Sequence, residues 1–78
     1  MSNSVRLEVL AVEVNGETRY GILEIRPHPT ELICIVHYGP LSQVGKSNDW
    51  GVNPDDALTL RCMAKAILVD LVNHTYRR

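Results

Sequence analysis

The sequence predicts an α+β fold: an antiparallel β-meander of three strands, open to a fourth, with one C-terminal helix packed across one face. Three observations carry that prediction. Asn15-Gly16 separates two aliphatic runs, a third apolar run follows Pro27-His28-Pro29, and residues 53–76 repeat apolar side chains at a helical period. The 78 residues read as one domain, with a hairpin at 5–26, a strand at 31–38, a long connection at 39–52 and a helix at 53–76.

Val5 to Val14 and Glu17 to Arg26 are both rich in β-branched and aliphatic residues. Asn-Gly between such runs is the strongest short hairpin signal, because a type I′ turn needs positive φ at both central positions. A two-residue loop pairs Ala11 with Tyr20 and Val9 with Ile22 on one face, and it collects Leu10, Val12, Leu23 and Ile25 on the other. Both faces are therefore partly apolar, and one helix can cover only one of them. The second face must meet a partner or be shielded by the long connection.

Pro27 and Pro29 each remove a ladder donor and restrict the residue before them, which ends the second strand. Glu31 to Tyr38 (ELICIVHY) is the third strand, unbroken by polar residues from Leu32 to Val36, and should be the best buried. Short sequential connections favour the meander. Residues 39–52 are long for a structureless connection in a small domain, a length that is usually functional or hides a short element. Leu41 to Val44 could be a short edge strand. Trp50, the only tryptophan, sits beside Asp49 and Gly51. It either caps the open end of the core or, with Asp49, forms a partner-binding loop.

Asn53 suits an N-cap, Pro54 the first helical position, and Asp55 and Asp56 the positive end of the helix dipole. At roughly 100° per residue, Ala57, Leu60, Met63, Ala64, Ile67, Leu68 and Leu71 share the face that should meet the sheet. The far side carries Leu58, Cys62, Val69 and Tyr76, with Ala66 and Val72 beside them, where a solvated helix should be polar. Monomers usually avoid such a patch. This second stripe is the expected partner or dimer interface, forming a symmetric homodimer with antiparallel helices.

Hydrophobic residues make up 45% of the chain and charged residues 22%, the balance of a folded globule. A domain this small buries only about 60 to 65% of its unfolded surface, so an oligomeric contact would help it. The formal charge of -1 offers no general basis for binding nucleic acid or membranes, although Arg61, Lys65, Arg77 and Arg78 define an alternative, a nucleic-acid-binding accessory role. No apolar run approaches the ~18 residues that span a bilayer, and no signal-peptide pattern follows Met1. With two cysteines, Cys34 and Cys62, on different elements, a disulfide is not expected, and the compartment reads as cytoplasmic.

Catalytic and cofactor signatures do not hold up. Gly39 to Ser47 imitates a P-loop, but five residues separate its glycines and no helix opens directly after Ser47. Cys34 and His37 stand three apart on a strand and so project from opposite faces. The histidines lack metal-ligand spacing, and Asp55-Asp56 is explained by the helix dipole. Neither a cofactor nor a metal is expected, and the chain does not read as an enzyme. A small-molecule-binding domain ranks last, because so small a core leaves little room for a pocket.

The β-β-β-α layout, the short length and the missing catalytic motifs resemble the small orphan proteins of phages and mobile elements, among them many anti-CRISPR inhibitors. The Asp49-Trp50-Gly51…Pro54 approach to an Ala/Leu-rich helix (Leu60, Ala64, Ala66, Ile67, Leu68) is similar to one uncharacterised phage-associated family. The resemblance implies a stoichiometric, non-enzymatic binder of a host protein complex. It carries no functional residues with it.

Overall fold

The computed structural model describes residues 5–53 and 55–76. Four strands run β1 (Arg6–Val14), β2 (Glu17–His28), β3 (Glu31–Tyr38) and β4 (Leu41–Lys46), followed by a one-turn helix α1 (Ser47–Trp50) and a long helix α2 (Ala57–Tyr76). The sheet order is β1-β2-β3-β4 with every pair antiparallel, so the architecture is α+β, a four-stranded meander with α2 against one face.

The first hairpin has the expected register, Ala11 opposite Tyr20 and Val9 opposite Ile22. Asn15 and Gly16 take φ of 54° and 79°, as a type I′ turn requires. The second strand does not end at Pro27, which pairs with Leu32. The ladder to β1 stops at Arg6 opposite Ile25, so beyond it β2 is an edge, where a proline's missing donor is tolerated. Gly39, at φ 59°, turns β3 into β4 through a two-residue loop closed by Tyr38 opposite Leu41.

The region expected as a 39–52 loop is thus mostly regular, and its strand runs two residues past Val44. The loop shields nothing; it widens the sheet. After Lys46 the chain folds into α1, whose Ser47 is fully buried and accepts the Leu32 amide on its hydroxyl at 3.1 Å. Glu31 accepts the Asn48 amide at 3.2 Å. Gly51, at φ 67°, ends α1: its amide reaches the Asn48 carbonyl, and the Val52 amide reaches that of Ser47 at 2.9 Å. This paired arrangement is a Schellman motif, and it seats Val52 in the core.

The long helix starts later than the sequence suggests. Asn53 accepts the Asp55 amide on its side chain and the Asp56 amide on its carbonyl, both at 2.9 Å, forming a turn that precedes the helix. Asp56 is the working cap, taking the Thr59 amide at 3.1 Å and the Thr59 hydroxyl at 2.6 Å, bonds that lower its carboxyl below the usual range. Pro54 lies outside the described residues. Because α2 begins only at Ala57, that residue is exposed and burial starts at Leu60.

From there Leu60, Met63, Ala64, Ile67, Leu68 and Leu71 pack on the sheet as expected, joined by Val72, which is fully buried. The sheet's inner face supplies Leu10, Leu23, Ile25, Cys34 and Val36. Close approach of the two layers depends on two inward glycines. A Cβ at Gly21 would lie 2.7 Å from Leu68 Cδ1 and 2.8 Å from the His37 carbonyl, and one at Gly45 would lie 2.6 Å from Ile67 Cδ1. Arg61 adds a two-pronged bond from α2 to Glu8 of β1, with Nε and Nη2 each donating at 2.9 Å.

Candidate functional site

Since side chains alternate across a strand, covering one face of the meander leaves the other to solvent. Following the register, one row across that open face reads Val9, Ile22, His37, Ser42, and the next Leu7, Glu24, Ile35, Val44. Ala11 opposite Tyr20 makes a third, and Ile33 stands beside Lys46 at the far end. Leu7, Val9 and Tyr20 keep 68%, 69% and 65% of their surface accessible, and Ile22 and Val44 are also exposed. Ile33 and Ile35 are half-buried by their neighbours. An aliphatic and aromatic field this continuous is unusual on a chain with no partner.

A polar island interrupts the field. Glu24 accepts from Arg26 Nε at 2.5 Å and lies 2.9 Å from His37 Nε2. The Arg26 bond, then the His37 bond, hold the Glu24 carboxyl below its ordinary range. A carboxylate whose folded pKa is depressed stabilises the fold above its unfolded pKa of about 4.3, and that contribution is lost as pH falls through the lower folded value. Glu24→Gln should therefore melt below wild type at pH 6 and converge with it as pH falls from 5 toward 3. A gap between the two melting curves that ignores pH would show that the carboxylate is not held.

Val9, Tyr20, Gly21, Ile22, His37 and Gly39 enclose a shallow hollow of about 370 Å³ on this side. A second hollow of about 430 Å³ lies between β4 and the end of α2, lined by Leu41, Gln43, Asp70 and His74 among others. Among the described residues no three of His, Cys, Asp and Glu gather to hold a metal. Cys34 and His37 do project from opposite faces: Cys34 is sealed in the core, where burial pushes its thiol up, while His37 stands on the open face. Residues 41–46 of the P-loop look-alike are strand, with no loop of free amides to cradle a phosphate.

The interface residues expected from the helix do not form one stripe. Leu58 is 76% exposed and Cys62, one turn on, is exposed too, but Val69 is partly buried against the core and Val72 is inside it. Side chains on seven of the helix positions from 60 to 72 sink into the sheet, an arc wide enough to draw in the flank of the supposed stripe. Val69→Glu would therefore disturb packing as well as any interface. The Tyr76 side chain and Arg77 and Arg78 lie outside the described residues. Asp49 is exposed on α1, and Trp50 is 46% exposed with its indole Nε1 3.5 Å from where a Cβ of Gly45 would be, on the side that faces Ile67 and Met63. Trp50 thus leans over the end of the core while keeping one face open. Arg61, named for the nucleic-acid alternative, is committed to Glu8, which raises its pKa.

Sequence reasoning put Tyr20 on this surface with Val9, Ala11 and Ile22 but missed Leu7, Ile35 and Val44. Its signal was present in the two-sided hairpin. No helix among the described residues is long and apolar enough to cross a membrane. No protein-family model, curated protein or solved structure matches the chain.

Proposed function

We propose that this chain is a non-enzymatic protein-interaction module, a stoichiometric inhibitor or accessory subunit of a bacterial protein complex, working in the cytoplasm and of the phage or mobile-element kind. The observation that carries the reading is the uncovered apolar sheet face, with Ile22 near its middle and Val9 beside it on the edge strand. Hydrophobic burial is the main driving force of protein association, and a face already ordered by its sheet gains it at little further entropic cost. Asp49 and Trp50, with Leu58 and Cys62, supply a second contact area on the helix side.

Affinity capture from bacterial lysate together with self-association measurements tests the reading. Ile22→Glu should weaken association by the ~2 kcal/mol typical of an interface anchor, with the melting temperature unchanged. Association indifferent to Ile22→Glu would sink the reading. A steep loss of affinity with salt, driven by the basic residues, would transfer the protein to the nucleic-acid class.

A further inference from the structure

We propose that the edge strand β4 takes up an extended peptide of another protein as a fifth strand, seated along the hollow between β4 and α2 and carrying an apolar side chain with a lysine or arginine two residues away. The site is separate from the open sheet face, and the inference stands without that reading. Two independent features meet there: unpaired main-chain groups, and a hollow placed to receive alternate side chains.

The register decides which backbone groups are free. Tyr38 and Leu41 close a two-residue turn and so share a main-chain bond, and bonded pairs recur at every second residue of an antiparallel ladder. Leu41, Gln43 and Gly45 therefore turn their amides and carbonyls toward β3. The Leu32 amide continues the series by reaching Ser47. Ser42 and Val44 turn theirs outward, where no strand lies beyond β4 and no bond to them is formed among the described residues. An extended chain matches such an edge because its own amides and carbonyls alternate at the same period.

A strand laid about 4.8 Å beyond β4 sends every second side chain to the α2 side, level with Leu41 and Gln43. There it enters the hollow of about 430 Å³. The strand itself fills little of this space, since Gln43 is exposed and Gly45 has no side chain. At the β1 edge the corresponding space is taken: Leu10 and Val14 are buried, and Arg61 closes on Glu8. The lining of the hollow then chooses the side chains. Leu41 and the nearly buried Leu71 offer an apolar floor to one of them. Asp70, exposed on the rim and in no ion pair among the described residues, favours a cation at the next inward position, two residues along; His74 borders the same hollow one turn on.

Selection of a displayed library of random heptapeptides on the purified chain, followed by NMR titration with a synthetic peptide of the enriched pattern, tests the proposal. Enriched peptides should place an apolar residue and a Lys or Arg at i and i+2, and the synthetic peptide should shift the Ser42 and Val44 amides while leaving the Val9 and Ile22 methyls unmoved. N-methylation of the peptide should abolish binding at the alternate amides that face β4 and spare it at those between. Asp70→Lys should weaken binding at least tenfold, whereas Ile22→Glu should not change it. Ser42→Pro removes an outward amide at an edge that tolerates proline and should also abolish binding; should that variant fail to fold, the N-methylated peptides decide alone. No enriched peptide, or binding indifferent to which amides are methylated, overturns strand addition. Enrichment without a basic residue, or binding unchanged by Asp70→Lys, overturns the choice of peptide. Binding lost on Ile22→Glu with Ser42 and Val44 unmoved overturns this site and leaves the open face as the contact.

Discussion

Gly21→Ala should lower the melting temperature by ~10 to 20 °C, although alanine is ordinarily the better residue in a regular element. The unfolded chain would lose entropy on gaining a methyl group, a benefit of ~0.4 to 1 kcal/mol. Against it stands the site: the new carbon would sit 2.8 Å from the His37 carbonyl oxygen, which is held in the β3 ladder, and 2.7 Å from a Leu68 methyl. A leucine tip can turn away, but the ladder carbonyl cannot without loosening its strand. Overpacking of this kind costs ~1 to 3 kcal/mol or more, and in a domain this small each kcal/mol shifts melting by ~4 to 8 °C. An unchanged melting temperature would mean that α2 rides farther from the sheet than described.

Ile67→Ala should cost ~2 to 5 kcal/mol, because Ile67 is fully buried and its loss leaves a cavity between rigid layers. Its coupling to Gly45 sharpens the test. Gly45→Ala alone should destabilise, since its Cβ would lie 2.6 Å from Ile67 Cδ1. In the Ile67→Ala background the same methyl enters vacated space, so the double variant should be more stable than the sum of the single losses predicts, by ~0.5 kcal/mol or more. Strict additivity would show that the two residues do not touch.

These glycines also explain what the sequence hid. The first hairpin was legible because Asn-Gly demands a particular turn, and the turn fixes which residues pair. The inner arc of α2 was legible from Leu60 to Leu71 because burial on one sheet imposes a helical period. The fourth strand was not. Its inward positions hold Leu41, Gln43 and Gly45, while Val44 points to the open face, so the usual apolar-in, polar-out alternation breaks at Gln43 and Val44 and no side chain marks Gly45 as inward. The helix start was displaced because Asn53 and Asp56 are both competent caps, and only the turn closed by Asn53 decides for Asp56.

The surface followed the same logic. Two-sided apolarity in β1 and β2 was visible, but assigning 39–52 to a loop offered a false shield for the second face. Once those residues become β4, they enlarge the open face instead and add Val44 to it. The helix stripe, by contrast, shrinks to Leu58 and Cys62 because Val69 and Val72 turn toward the core.

The central claim, that the open sheet face is where this protein meets another protein, is tested most directly by methyl NMR of the associated wild type with a soluble paramagnetic agent. The methyls of Val9, Ile22, Ile35 and Val44 should be protected from relaxation, while those of Leu58 relax fast. Sheet-face methyls that relax as fast as those of Leu58 in the associated state would contradict the account.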